Sequence, residues 1–359
     1  MEQIKQTHLQ KLVAALPEGK DAILVSNSRN QRWLTGFPFD DGFVFVTREN
    51  SYLLTDSRYI EAAQAQADRA FVVQQMKGTR QDMFSALCEE NHVGEVLFED
   101  TWVSCAQFEG FKKWFGEKHP LSPAGKLIED LREYKDEEEM ENIIAAQRIA
   151  EQAFDHILGF ISPDKTEVEV ALELEFFMRS KGATATSFDT IAVSGSASSL
   201  PHGVPRNVKL EKGFFTMDYG ALYNGYCSDM TRTVVIGKAD EDMKKLYNTV
   251  LSAQLAAEEA LHEGVTGAEL DAIARGIIDN SEYKGCFGHS LGHGVGMYIH
   301  EAPGVSGGNK KPITKGHVIT IEPGIYIAGK YGCRIEDMAL FRENGPEVIT
   351  RCPKHLIEL

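Results

Sequence analysis

The sequence predicts an α/β layer domain followed by a second domain that mixes long helices with paired strands. Three observations predict this. Short β-rich runs alternate with helical runs over residues 1–125, the pattern of a layered α/β unit. His119-Pro120-Leu121-Ser122-Pro123-Ala124-Gly125 then holds two prolines and a glycine in seven residues, which reads as a loop and a domain boundary. Beyond it, long amphipathic stretches separate strand pairs that carry carboxylates where a core strand should be apolar.

In the first domain, residues 21–26 read as a buried strand, and 42–46 with 51–55 as a hairpin around the polar turn Arg48-Glu49-Asn50. A helix is expected over 58–67, a strand over 71–73, a helix over 81–90, a strand over 96–98 and a helix over 104–115. After the break, residues 140–157 carry apolar side chains at helical spacing. The acidic run Asp136-Glu137-Glu138-Glu139 precedes them, where the helix dipole favours negative charge, so it reads as a solvated helix start with no catalytic part. Further helices are expected over 168–181 and 241–262.

Composition narrows the class. In 359 residues, 43% are hydrophobic and 25% charged, as in ordinary globular proteins, which disfavours disordered, collagenous and coiled-coil classes. No apolar run approaches the ~18 residues of a membrane span, and the start, Met1-Glu2-Gln3-Ile4-Lys5-Gln6, lacks the apolar core of a signal peptide. The net charge of −16 argues against a nucleic-acid partner. The six cysteines, at 88, 105, 227, 286, 333 and 352, include no C-x-x-C pair, so they read as buried small hydrophobes in a reducing, cytoplasmic setting.

Two strand pairs carry the chemistry. The first runs Gly213-Phe214-Phe215-Thr216-Met217-Asp218-Tyr219-Gly220, turns at Tyr223-Asn224-Gly225, and returns through Ser228-Asp229-Met230-Thr231-Arg232-Thr233. Asn-Gly between apolar runs is a strong hairpin signal. A hairpin closed there is expected to set Asp218 roughly opposite Asp229, near the ~4.5–5.5 Å of cross-strand neighbours. Two ionised carboxylates that close need a cation between them, or one must protonate. The second pair repeats the design, with Glu322-Pro323-Gly324 echoing Asp218-Tyr219-Gly220 and Glu336-Asp337-Met338 loosely echoing Asp229-Met230. Between the pairs, Gly288-His289-Ser290-Leu291-Gly292-His293-Gly294-Val295-Gly296 and His300 concentrate glycine and histidine; the glycines argue against a helix. Four carboxylates and one or more imidazoles suit a two-metal hydrolytic site. On spacing alone a second reading stands, in which each acidic residue faces water at a sheet edge.

The ordered motifs Ser187-Phe188-Asp189-Thr190-Ile191, Leu200-Pro201-His202-Gly203, Met217-Asp218-Tyr219-Gly220, Ser228-Asp229-Met230-Thr231-Arg232-Thr233, Gly292-His293-Gly294-Val295-Gly296, His300-Glu301, Glu322-Pro323-Gly324 and Arg334-Ile335-Glu336-Asp337 together resemble the pita-bread metallopeptidases, in their proline-specific branch of aminopeptidase P and prolidase. Asn30-Gln31-Arg32-Trp33-Leu34-Thr35-Gly36-Phe37 and Thr55-Asp56-Ser57-Arg58-Tyr59 resemble the creatinase-type domain that precedes it. The resemblance implies a creatinase-like α/β domain over 1–125 and an α+β pita-bread catalytic domain over 126–359. It implies a metal-ligand set of Asp218, Asp229, His293, Glu322 and Glu336, holding two divalent ions, manganese first, cobalt or zinc as alternatives. It carries His202, His289 and His300 over as catalytic and substrate-side histidines and Arg334 as a substrate-side arginine. It further implies attack by a metal-bridging hydroxide on the carbonyl before proline, Glu322 as proton shuttle, and His300 beside the oxyanion. Small peptides with proline second are the implied partners, with no nucleic acid or membrane, in a homodimer.

The match is not complete. Met338-Ala339 replaces a more usual acidic and β-branched pair, and Ser290 stands where some dipeptidases of the family place an arginine. Between His289 and Cys333 the only cations are Lys310, Lys311, Lys315 and Lys330. A dipeptidase needs a cation for proline's free carboxylate, so the reading leans to an Xaa-Pro aminopeptidase. Arg32 or Arg58 from a dimer partner would supply that cation in a dipeptidase. An Xaa-Pro dipeptidase is the alternative. A methionine aminopeptidase and an inactive binding protein on the same scaffold are less favoured.

Overall fold

The computed structural model describes residues 6–359, so the polar start at 1–5 lies outside the described residues. The chain forms two compact units that divide between Leu131 and Arg132. Among the described residues no helix is long and apolar enough to cross a membrane.

The first unit is built on a six-stranded mixed sheet. The strand Ala22–Val25 is fully buried and lies at its centre, antiparallel to Gly42–Thr47 and parallel to Val96–Phe98. Gly42–Thr47 and Ser51–Thr55 form the expected hairpin. The helices Arg80–Glu90 and Cys105–Phe115 start at Thr79 and Ser104, whose side chains accept the orphan backbone N–H groups of the first turn. Phe45, Phe84, Phe111 and Phe115 close one core between sheet and helices. The stretch expected as a loop over 119–125 contains an edge strand, Leu121–Pro123, parallel to Val96–Phe98. Proline has no N–H to donate, so it is tolerated there only because the strand lies on the rim. Arg58 is exposed and ion-paired to Asp41 and Asp56 at 2.8 and 2.6 Å.

The second unit is a duplicated layout. A helix pair, Glu137–Phe160 with Glu167–Ser180, precedes the first interrupted hairpin; a second pair, Glu241–Glu259 with Gly267–Asp279, precedes the other. Each pair starts on an aspartate cap (Asp136, Asp240) and restarts on a threonine cap (Thr166, Thr266) with a glutamate three residues on. Each half closes its own core. Ala146, Phe154, Leu174, Met217 and Val234 pack in the first, and Leu246, Val250, Leu270, Ile319 and Ala339 in the second. One expectation is corrected at the helix start: Glu137 and Glu138 are exposed, but Glu139 is buried. Its carboxylate closes the capping box onto Asp136 N and accepts from Tyr226 Oη at 3.0 Å.

The hairpins explain where the carboxylates fall. In the first, Gly213–Tyr219 pairs with Met230–Ile236 so that Asp218 faces Thr231, and the turn at Asn224 and Gly225 takes positive φ of 47° and 85°. Asp218 and Asp229 are therefore diagonal neighbours on one face, two residues out of register, which makes the rough opposition expected a diagonal one. In the second, Ile321 faces Asp337 and Gly324 faces Arg334. That single register continues through the break between the two ladders and sets Glu322 across from Glu336. The repeat is real in layout and inexact in register.

Candidate active site

Five donors converge in the second unit. Asp218 is the last residue but one of the strand Gly213–Tyr219, and Asp229 immediately precedes Met230–Ile236. Glu322 follows Val318–Ile321, and Glu336 immediately precedes Asp337–Arg342. His293 sits in the short strand Gly292–Gly294, which pairs with Val318–Ile321 at Gly294 and Ile319. Carboxylates thus collect where four strands end, because the pleat aims alternate side chains at one side.

The geometry is tight. Single donor atoms of Asp229, His293 and Glu336 all lie within 4.8 Å of one another. His293 Nε2 is 3.5 Å from Asp229 Oδ2 and 3.4 Å from Glu322 Oε1. His293 Nδ1 is 3.1 Å from the Gly294 carbonyl, so Nδ1 carries the proton and Nε2 turns its lone pair to the carboxylates. Burial holds this imidazole down to about 4, so it is neutral at pH 7. Desolvation, reinforced by Glu336 and Asp218, raises Asp229 well above the ordinary aspartate range. Desolvation and Glu322 do the same to Glu336. Burial pushes Glu322 up to about 8. At ~4.8 Å and an effective dielectric of ~20, one such like-charge pair costs about 3 kcal/mol, a large share of the ~5–15 kcal/mol that holds a domain folded.

A cation removes that cost. Asp218 Oδ1 is buried without a hydrogen-bond partner, and the His293 lone pair faces acceptor oxygens alone. An orphan oxygen, an unprotonated imidazole nitrogen and clustered carboxylates are the donor set that hard and borderline divalent metals take. The residues fit the group that the chemistry implies.

The surrounding side chains fix these donors. Arg334, buried, donates from Nη2 to Asp218 Oδ2 at 2.5 Å, from Nη1 to Tyr326 Oη at 2.6 Å and from Nε to Thr231 Oγ1 at 3.0 Å. Burial alone would depress its pKa, but Tyr326, Asp218 and Glu322 outweigh it and hold the guanidinium charged. Thr231 Oγ1 donates in turn to Glu336 Oε2 at 2.7 Å. Thr320 Oγ1 accepts from His293 N at 3.1 Å and donates to Glu322 Oε1 at 3.2 Å. Thr231, Thr320 and Tyr326 were not singled out in the sequence. Thr231 has a legible signal, since it shares the site face with Asp229 at a spacing of two. Tyr326 has none.

The donors line a cavity of about 840 Å³, together with His202, His289, His300 and Arg334. His202 and His300 are exposed at its wall. His300 lies edge-on to His293, with ring centroids 4.3 Å apart, and desolvation with His202 lowers its pKa. His289 is committed at both nitrogens: Nδ1 is 2.8 Å from the Ser290 carbonyl and Nε2 is 3.1 Å from Tyr326 Oη. Burial, then Arg334, brings it down to about 4.

A model of the metallopeptidase family M24 matches residues 141–343, and one of the creatinase/prolidase N-terminal domain matches 8–134. The chain belongs to metallopeptidase family M24. It is a hydrolase with a creatinase-type N-terminal domain and a pita-bread catalytic domain, as the resemblance implied. The peptidase is 38% identical to the Xaa-Pro dipeptidase of Pyrococcus furiosus, over 97% of this chain and 99% of that one. Among solved structures it resembles an Xaa-Pro dipeptidase from Bacillus anthracis at 40% identity and TM-score 0.93, covering 98% of this chain and 99% of the other. It also resembles an X-Pro aminopeptidase from Thermotoga maritima at 36% identity and TM-score 0.90, covering 95% and 98%. Family membership implies divalent metal ions.

Proposed function

We propose that the peptidase removes the first residue from peptides with proline in second position, with two divalent cations held by Asp218, Asp229, His293, Glu322 and Glu336. The observation that carries this reading is the convergence of those five side chains, one of them with an orphan oxygen, on one cavity. The preference for proline comes from the relatives, which are named as Xaa-Pro dipeptidases and an X-Pro aminopeptidase.

When bound, the metals supply a water acidic enough to ionise near neutral pH and polarise the scissile carbonyl. The chain does the rest. Glu322 takes the proton from the attacking water and delivers it to the proline nitrogen, a tertiary amide nitrogen that must gain a proton to leave. His300 donates an N–H to the carbonyl oxygen as negative charge develops there. His202 and His289 line the pocket around the proline ring. Arg334 was expected beside the substrate; we assign it to holding Asp218 and Tyr326, because those contacts use its guanidinium.

An aminopeptidase fits the pocket wall best. Among the described residues Arg334 is the one lysine or arginine lining the cavity, and it is already paired with Asp218. A free proline carboxylate would find only imidazoles there, and those of His289 and His293 are neutral. The dipeptidase reading is the second, favoured by identity to the Pyrococcus furiosus enzyme. Manganese is proposed as the native metal because oxygen donors dominate. A homodimer follows the family resemblance, and a cytoplasmic setting suits six unpaired cysteines. The test removes metal with chelator, restores Mn(II), and compares Ala-Pro with Ala-Pro-Gly. We expect no activity without metal and kcat/KM at least about tenfold higher for the tripeptide, the scale of one well-made polar contact. Cleavage of Ala-Pro alone would reverse the order of the two readings.

A further inference from the structure

We propose that Asp271 and Arg275, on the helix Gly267–Asp279, are positioning residues that hold the pocket loop carrying His289 and, through Leu291, the start of the Glu322 segment. The inference rests on the peptidase reading above and names residues that the reading does not use.

The helical spacing of four brings the two side chains together. Arg275 clasps Asp271 with two parallel bonds, Nε to Oδ2 and Nη2 to Oδ1, each 2.9 Å. Its remaining donors reach one loop: Nη1 to the Phe287 carbonyl and Nη2 to the His289 carbonyl, each 2.8 Å. The guanidinium also lies 4.3 Å from the Phe287 ring centroid. Asp271 Oδ1 accepts from Leu291 N at 3.1 Å, and the Leu291 carbonyl accepts from Glu322 N at 2.8 Å. The pair therefore fixes alternate residues 287, 289 and 291, in a stretch with neither helix nor strand of its own.

An exposed ion pair of this spacing would contribute little and touch nothing else. Here the Asp271 side chain is 6% exposed, and both partners spend further bonds on the loop. Lysine cannot substitute, because a single ammonium has no planar fork to span one carboxylate and two carbonyls. The consequence falls on the substrate side. The clamp sets where the His289 ring stands against the proline, so loosening it weakens binding more than turnover.

The test uses the full-length, Mn-loaded enzyme as Arg275→Lys, Arg275→Met, Asp271→Asn and the double variant Arg275→Met/Asp271→Asn. We expect KM for Ala-Pro-Gly to rise about tenfold in each, with kcat within about threefold, the usual scale for loss of an outer-shell partner. Metal content should be retained. The double variant should be no worse than the worse single, because the pair acts as a unit. Hydrogen exchange should quicken at 287–291 in the absence of substrate. Wild-type KM in Arg275→Lys, or a fall in kcat at unchanged KM, would overturn the proposal and leave only a structural pair. Arg275→Lys keeps the charge and guards against loss of folding. If the wild type cleaves no peptide of either length, the peptidase reading fails by itself, and unchanged exchange at 287–291 would still refute the clamp.

Discussion

Asp229 shows how one side chain is caught between opposing demands. It is 4% exposed, within 4.8 Å of a Glu336 oxygen and 3.5 Å from an imidazole nitrogen that brings a lone pair and no proton. In the absence of metal the local field disfavours its charge; with metal, that charge is what binds. Replacing it with asparagine keeps the shape and deletes the charge. We therefore expect Asp229→Asn to lose activity by at least about a thousandfold, since a bound metal's contribution is several kcal/mol. The same variant in chelator at pH 8 should melt above the metal-free wild type, because one member of a like-charged cluster is gone. Thermal melting of both proteins with and without Mn(II) checks this. A lower melting point for the metal-free variant would mean that Asp229 is held by contacts other than repulsion.

At the scale of elements, the site depends on how closely strands approach. A Cβ on Gly292 would overlap the carbonyl and hydroxyl of Thr320, the residue whose Oγ1 joins His293 N to Glu322. Gly292→Ala should therefore cost about 1–3 kcal/mol, as overpacking does, and weaken Mn(II) binding at the same time. Urea unfolding and metal titration read the two effects; a variant that loses stability while keeping wild-type affinity would show that strand spacing does not set donor spacing. The same elements mark what could be read in advance. The hairpins were legible because Asn-Gly and period-two alternation are local signals. Their register was not, because it is set by pairing beyond the turn, and the result is Asp218 opposite Thr231. The helix Gly267–Asp279 went unread although Thr266 and Glu269 spell a capping box; it also carries the clamp on His289. The helix Ser28–Thr35 hides better, since Asn30, Gln31 and Thr35 are among its buried residues and no apolar period shows. Tyr326 became part of the site only through contacts eight and thirty-seven residues away.

Over the whole molecule, the buried titratable groups of the second unit couple metal binding to folding. Glu322, raised to about 8 by burial, Asp229, raised by burial and by Glu336, and Glu336, raised by burial and by Glu322, have folded pKa values above their unfolded ones. For such acids the penalty is absent below the unfolded pKa and complete above the folded one, so the metal-free peptidase loses stability as pH rises toward and past 8. His289, His293 and His317 run the other way. Burial holds each at about 4, so their contribution is complete above ~6.5 and lost as pH falls toward 4. The two trends oppose each other below ~6.5, and above it only the carboxylate penalty continues, so stability in chelator falls from pH ~7 to ~8. Bound Mn(II) neutralises the site carboxylates and should flatten the alkaline side. A slope of the same sign should survive metal binding below pH ~7, because Glu258, raised to about 7 by burial and by Asp337, lies outside the five donors. Melting curves from pH 5 to 9, with chelator and with saturating Mn(II), test the coupling. A chelated protein whose melting point climbs from pH 7 to 9 would contradict the sign of the carboxylate contribution, and equal slopes in the two series would mean that the metal is not held by these groups.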